Sequence, residues 1–215
     1  MNDVIDVVIP ARNTHETLAG VVRPFRNHPA IGDIIIVSNP PDLRMSRALN
    51  EWGAIHEGIS TRYNNGIHLI YSGAEGKGQA VMQGLDKVRT EYVVFCDSDL
   101  IGLTEDHIGL LISGALLEEW GVTIGVPDIP DNYPESRDWA WPWVSGQRCI
   151  PTSLARRLKL HGYLMETQLN LAARHAAMPV RFEFLKGLTS PYMMTDQRIL
   201  DMERDAQWGR EHGIL

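Results

Sequence analysis

The apolar run Tyr92–Cys96 leads directly into Asp97-Ser98-Asp99, and this junction constrains fold and chemistry more than any other stretch of the chain. Val93, Val94, Phe95 and Cys96 read as a strand buried on both faces, the habit of a parallel sheet covered by helices. Residues two apart on an extended backbone project to the same side, so Asp97 and Asp99 are expected to present two carboxylates to one point past the strand's end. An Asp-x-Asp triplet by itself is commonly a solvated turn. At the carboxyl end of a buried strand, where open α/β sheets bind ligands, it favours a divalent cation such as Mg²⁺ shared with a substrate's phosphates. One element earlier, Gly76-Lys77-Gly78 reads as a short loop carrying an ammonium toward the same edge.

Strand-like runs at Val4–Ile9, Ile34–Val37, His68–Tyr71, Tyr92–Cys96 and Val122–Val126 alternate with helical spacing at Glu16–Val22, Arg44–Trp52, Gln79–Val88 and Glu105–Trp120. Thr104 is a candidate N-cap for the last of these, and Pro24 is expected to end or bend the first. This alternation predicts an α/β fold with a mostly parallel central sheet flanked by helices. Beyond Val126 the rhythm changes. Pro127 to Pro142 contains four prolines and reads as a long loop of the kind that carries function. A strand at Val144–Arg148, helices at Ser153–Lys159 and Tyr163–Ala177, a strand at Val180–Leu185 and a helix from Thr195 to Glu211 follow. No linker interrupts the sequence, so residues 1–215 are expected to form one domain, with 1–126 as one functional half and 127–215 as additions to the sheet.

A length of 215 residues, with 44% hydrophobic and 22% charged residues, is ordinary for a globular domain and argues against disorder. No apolar run reaches the ~20 residues needed to cross a bilayer, and the acidic amino terminus enters a strand at once. Cys96 and Cys149 form no metal or redox spacing, and Cys96 reads as a core residue; the chain is expected to be cytoplasmic. The net charge of −7 is uneven: Met1–Trp139 has 10 basic against 20 acidic residues, and Ala140–Leu215 has 10 against 7. Arg148, Arg156, Arg157, Lys159, Arg174, Arg181 and Lys186 are either a solvated basic face or the holder of an anionic partner. Overall acidity opposes broad nucleic-acid binding.

Taken in order, four segments resemble the GT-A (Rossmann-like) glycosyltransferases, in particular glycosyltransferase family 2 and its glucosyl-3-phosphoglycerate synthase relatives. They are Val8-Ile9-Pro10-Ala11-Arg12-Asn13, Ile34 through Asn39, Gly76-Lys77-Gly78-Gln79-Ala80, and Val94 through Asp99; Val144-Ser145-Gly146-Gln147-Arg148 and Gly162 through Glu166 add weaker support. The resemblance implies a nucleotide-sugar donor, a UDP- or GDP-sugar, with Pro10, Ala11, Arg12 and Asn13 under the base and ribose and Ser38 and Asn39 on the neighbouring strand end. Lys77 would approach the phosphates, Asp97 and Ser98 the ribose, and Asp99, with Asp97, the Mg²⁺ or Mn²⁺. A cation and an ammonium suit this reaction because the departing diphosphate develops negative charge. The chain departs from the family pattern in having Thr14-His15 after the first loop, Ser38-Asn39 where acids are common, and no histidine between His175 and His212 to serve as a late metal ligand.

Glu166 falls where relatives carry an acceptor-facing glutamate. It is expected either to deprotonate or orient an acceptor hydroxyl, or simply to begin a helix favourably. Trp139, Trp141 and Trp143 alternate, which on an extended segment would place them on one face, either as a packed flap or as a stacking platform beside Gly146, Gln147 and Arg148. His56, His68 and His107 show no ligand spacing. The expected activity is metal-dependent sugar transfer to a hydroxyl of an anionic acceptor, a phosphorylated small molecule or a hydroxymethylated base in DNA. A homodimer is compatible with this. The alternatives are a sugar-phosphate nucleotidyltransferase, disfavoured by the glycine-free Pro10–Asn13 loop, and a noncatalytic nucleotide-sugar binder.

Overall fold

Alternation along the buried strands divides the core into two layers. Ile5, Val7 and Ile9 face Leu18, Val21, Val22, Phe25, Ile108, Leu111 and Ile112, whereas Val8, Ile35 and Val37 face Ala80, Val81, Leu85, Met165, Leu169 and Ala173. The period of two in a strand sends neighbours to opposite faces, so a run apolar at every position requires helices on both sides. Burying each such side chain contributes about 1.5–3 kcal/mol. The computed structural model describes residues 4–38, 43–49, 54–57, 60–63, 66–73, 76–116, 121–128, 141–160 and 165–190, and five helical positions, Leu200, Arg204, Gln207, Arg210 and Glu211.

Among the described residues the strands are β1 (Ile5–Ala11), β2 (Ile31–Ser38), β3 (Ala54–Glu57), β4 (Ser60–Tyr63), β5 (Ile67–Tyr71), β6 (Tyr92–Phe95), β7 (Val122–Pro127), β8 (Gln147–Pro151) and β9 (Val180–Leu185). They form one sheet in the order β3-β4-β5-β2-β1-β6-β8-β7-β9. The centre, β5-β2-β1-β6, is parallel, as the GT-A reading predicts. Antiparallel pairings lie on both flanks: β3 and β4 extend the sheet beyond β5, and β8 runs antiparallel to both β6 and β7. β9 closes the far edge parallel to β7.

The helices are α1 (His15–Asn27), α2 (Leu43–Ala48), α3 (Lys77–Leu85), α4 (Glu105–Leu116), α5 (Trp141–Val144), α6 (Thr152–Ala155) and α7 (Met165–His175). α1 continues through Pro24 to Asn27, so of the two effects expected of the proline, ending the helix does not occur. The Thr104 hydroxyl accepts the His107 backbone N–H, the expected N-cap of α4. α3 begins at Lys77, so this residue starts the helix and does not belong to the loop; Gly76 precedes it at φ 85°, a backbone conformation that favours glycine. α3 lies close on β1 because Gly84 has no side chain: a Cβ there would stand 2.4 Å from Val8 Cγ1.

Four further expectations change. The β3–β4 hairpin was not foreseen, the Ser153–Lys159 helix is only α6, Val144 is helical in α5, and the following strand begins at Gln147. Residues 129–140, most of the proline-rich segment, lie outside the described residues, as do 117–120, 161–164 and most of the final helix. At the edge opposite the acidic turn, Asp6 is 3% exposed and ties three segments together. Its carboxylate accepts the backbone N–H of Asp33 at 2.9 Å and of Arg89 at 2.7 Å, and its own N–H donates to Thr90 Oγ1. Among the described residues no helix is long and apolar enough to cross a membrane.

Candidate active site

Parallel pairing of β1 with β2 and β6 brings their carboxyl ends to one edge, with Ala11 opposite Ser38 and Val8 opposite Phe95. The Pro10–Asn13 loop, Ser38 and the acidic turn are therefore neighbours by register. Arg12 and Asn13 are exposed, Asn13 has φ 55°, and Ser38 is fully buried at the end of β2. A non-glycine residue in the left-handed region is uncommon and marks a backbone held by its surroundings. Two hydroxyls just after Asn13 tie the start of α1 to the acidic turn: Thr14 Oγ1 donates to Ser98 Oγ at 2.7 Å, and Thr17 Oγ1 to the Ser98 carbonyl at 2.7 Å. Ser98, expected beside the ribose, is 4% exposed and faces Thr14. Asn39, expected beside it on the second strand end, lies outside the described residues.

The extended geometry expected for Asp97-Ser98-Asp99 is replaced by a turn, because β6 ends at Phe95 and Ser98 and Asp99 are turn residues. The two carboxylates accordingly meet different partners. Asp97 Oδ1 lies 2.6 Å from Lys77 Nζ, and Asp97 Oδ2 accepts from Gln147 Nε2 at 3.0 Å. Asp99 Oδ2 accepts from the Ser190 hydroxyl at 3.0 Å. Among the described residues there is no group of three or more His, Cys, Asp and Glu side chains able to hold a metal. The donor set of carboxylate and hydroxyl oxygens nevertheless fits Mg²⁺ or Mn²⁺, which need only one or two carboxylates when phosphates and water complete the shell.

Lys77 also donates to Glu166 Oε1 at 2.5 Å, so one ammonium bridges the acid at the end of β6 and the acid in the first turn of α7. Burial by itself lowers the Lys77 pKa, but the charges of Asp97 and Glu166 and their hydrogen bonds outweigh it and raise it above the ordinary value. The helix start that carries Glu166 is thus tied through α3 to the acidic turn.

β8 and the two residues before it supply the remaining support. A Cβ on Gly146 would stand 2.3 Å from Asp97 Oδ2, so the absent side chain is what admits this carboxylate. Gln147, 2% exposed, holds Asp97 through its amide and lies 2.7 Å from the Ser145 hydroxyl through Oε1. Arg148 is 1% exposed, and its guanidinium donates to Ser145 O, Asn170 Oδ1 and Trp143 O. Burial lowers its pKa to about 10 against the opposing influence of Glu166 and Asp97. Arg148, expected at the acceptor mouth, therefore braces β8, α5 and α7 from inside. Trp143 meets Phe182 edge to face at 4.8 Å, and α5 is a helical turn, which removes the extended platform expected for Trp141 and Trp143. Trp139 lies outside the described residues.

The basic band is also partly internal. Arg156 donates to Leu85 O and Val88 O at the end of α3, and Arg181 pairs with Glu183. Cys96 is a core residue at 1% exposure, its thiol pushed up by burial and then by Asp97 and Asp99. His68 lies 3.3 Å from Asp33, and His107 is 3.1 Å from the Lys186 carbonyl. Thr17, Asn170 and Ser190 were missed by sequence reasoning, and Thr14 and Ser145 were noted there without a role, since a lone hydroxyl or amide carries no spacing signature.

A parallel α/β centre with an acidic turn and a lysine-started helix at its carboxyl edge defines a GT-A glycosyltransferase. The chain belongs to glycosyl transferase family 2, whose sequence model matches residues 6–185. No curated protein matches the chain by sequence. Among solved structures, it is similar to glucosyl-3-phosphoglycerate synthase from Mycobacterium tuberculosis in complex with Mn²⁺, uridine-diphosphate and glucosyl-3-phosphoglycerate, at TM-score 0.75 and 17% identity over 94% of this chain and 76% of that one. It is also similar to mannosyl-3-phosphoglycerate synthase from Rubrobacter xylanophilus, at TM-score 0.72 and 14% identity over 99% and 75%. At such identities the likeness speaks for the fold.

Proposed function

We propose that this glycosyltransferase moves a sugar from a UDP- or GDP-sugar to a hydroxyl of a phosphorylated small acceptor, in the cytoplasm. The observation that carries the reading is the Lys77 ammonium held between Asp97 and Glu166. On this reading the ammonium stands between the carboxylate that would serve the donor, Asp97, and the one that would serve the acceptor, Glu166. Structurally similar synthases crystallised with Mn²⁺, uridine-diphosphate and phosphoglyceric acid support donor and acceptor classes of this kind.

Asp99 and Asp97 would hold the Mg²⁺ or Mn²⁺, which when bound neutralises charge on the donor diphosphate. Lys77 turns from the carboxylates toward the phosphate oxygens and offsets the charge that grows as the sugar–oxygen bond breaks. Glu166, released from Lys77, accepts a hydrogen bond from the acceptor hydroxyl and either orients it or takes its proton. The exposed Arg12 and Asn13, with Pro10 and Ala11, form the floor for base and ribose beside Ser38 and Asn39. Gly146 and Gln147, which hold the Asp97 carboxylate in place, would border the acceptor side.

The test is a melting-temperature screen of UDP- and GDP-sugars with and without Mn²⁺, followed by transfer assays with 3-phosphoglycerate and with hydroxymethylated DNA. A donor at about 100 times its dissociation constant stabilises the native form by about 2.7 kcal/mol, or roughly 5–10 °C for a chain of this size. Asp99→Ala is expected to lose the Mn²⁺-dependent part of that shift. Transfer only to the DNA would replace the small acceptor. Pyrophosphate release from UTP and a sugar 1-phosphate, or donor binding with neither transfer nor hydrolysis, would overturn the reading.

A further inference from the structure

The segment that follows β9 is fastened to the acidic turn more closely than its sequence suggests. Ile101 and Thr189 exchange two backbone hydrogen bonds, Ile101 N–H to Thr189 O at 2.7 Å and Thr189 N–H to Ile101 O at 2.9 Å. Gly102 and Gly187, both at φ 85°, let the two chains approach: a Cβ on Gly102 would stand 2.5 Å from the Gly187 carbonyl. Asp128 fastens the same segment from β7, accepting the Gly187 N–H on its carboxylate at 2.8 Å and donating its own N–H to Leu188 O at 2.9 Å. Leu188 is fully buried. Residues 187–190 are thus held from two elements, and the next side chain, Ser190, arrives at Asp99 Oδ2.

From this geometry we infer that Ser190 is a positioning residue for Asp99, setting how that carboxylate faces the cation of the bound donor. The inference rests on the reading of Asp99 as a cation ligand. A carboxylate oxygen has two lone-pair directions, so Oδ2 can keep the Ser190 proton while the group coordinates metal. The hydrogen bond removes the free swing of the carboxylate about its last torsion, and ligating carboxylates are as a rule held in this way by an outer partner. The need is concrete in this chain. Asp97 is engaged by Lys77 and Gln147, and the turn at Ser98–Asp99 has separated the partners of the two acids. The segment after β9 therefore contributes to the orientation of Asp99, and Thr189 supplies the backbone tie that brings the hydroxyl into range.

The experiment is a Mn²⁺ titration of the full chain in the presence of UDP, read by loss of the free-ion electron paramagnetic resonance signal. Wild type, Ser190→Ala, Ser190→Thr and Asp99→Ala are compared, with melting temperatures recorded in chelator. Removal of an outer-shell partner weakens metal binding about 10-fold or more, so Ser190→Ala is expected to need about 10-fold more Mn²⁺ while melting like wild type in chelator. Ser190→Thr, which keeps the hydroxyl, is expected to restore binding. In turnover, the Mn²⁺ concentration for half-activation should rise by a larger factor than kcat falls. Wild-type affinity in Ser190→Ala, or no recovery in Ser190→Thr, overturns the inference while Asp99→Ala still confirms the cation site. Absence of Mn²⁺-dependent UDP binding in wild type overturns the donor-site reading, and this inference with it.

Discussion

Replacing Gly146 with alanine adds one methyl group where the structure has space for none. The new Cβ would stand 2.3 Å from Asp97 Oδ2, 2.6 Å from Oδ1 and 2.7 Å from Cγ. Comfortable contact begins near 3.4 Å, so the carboxylate must retreat by roughly 1 Å. It cannot do so and keep both Lys77 Nζ at 2.6 Å and Gln147 Nε2 at 3.0 Å. Gly146 is not among the residues with positive φ, so alanine suits the backbone and the effect belongs to the methyl alone. Overpacking of this kind costs about 1–3 kcal/mol of stability. A misplacement of about 1 Å at reacting groups lowers the rate about 10²-fold. The expected outcome is a protein that stays folded by circular dichroism, unfolds at lower urea, and loses about two decades in kcat/KM for sugar transfer. A Gly146→Ala enzyme within about 2-fold of wild-type kcat/KM would refute the claim that the position of Asp97 depends on this glycine.

Arg148→Met leaves Ser145 O and Asn170 Oδ1 without the donor they have now, and is expected to cost about 3–5 kcal/mol in urea denaturation. A loss under about 1 kcal/mol would show that the buried guanidinium is not the brace described. Gly84→Ala drives a methyl to within 2.4 Å of Val8 Cγ1 and should lower the melting temperature by roughly 2–12 °C; an unchanged value would mean that α3 is free to move off β1. The raised pKa of Lys77 predicts an alkaline effect, since the stability it contributes is complete below its ordinary pKa of 10.5 and fades as pH climbs toward the higher folded value. The stability gap between wild type and Lys77→Met should therefore be flat up to about pH 10 and shrink above it, and a gap that shrinks instead between about pH 6 and 9 would contradict the assignment.

The parallel centre was legible because β1, β2 and β6 carry the unbroken apolar runs Val7–Ile9, Ile34–Val37 and Val93–Phe95, a pattern that burial on both faces explains. The β3–β4 hairpin was not, since Ala-Ile-His-Glu and Ser-Thr-Arg-Tyr are short and largely polar, and they become strands by pairing with each other and, through β4, with β5. At the site, Lys77, Asp97 and Glu166 stood out as charges at element ends, and the structure brings them together. The extended geometry read for Asp97-Ser98-Asp99 did not hold, because an alternation rule for strands was applied to residues that had already entered a turn. Arg148 misled in another way. A cation in a basic stretch suggests an outward face, but β8 is buried at every position, so the Arg148 side chain ends among other elements and not in solvent. Ser190 and Thr14 act across separations of 91 and 84 residues, which local spacing does not report.

The placement of β8 has a consequence for how such a protein can be divided. This strand comes late in the chain yet is the one that stitches β6 to β7, so everything up to residue 128 would have a slit in its sheet, with two raw edges facing each other. A fragment cut there loses Gly146 and the Gln147 side-chain amide, against which the Asp97 carboxylate rests. Gene truncation or domain grafting at that boundary would yield a half that keeps the acidic turn in its sequence and discards the wall that shapes it.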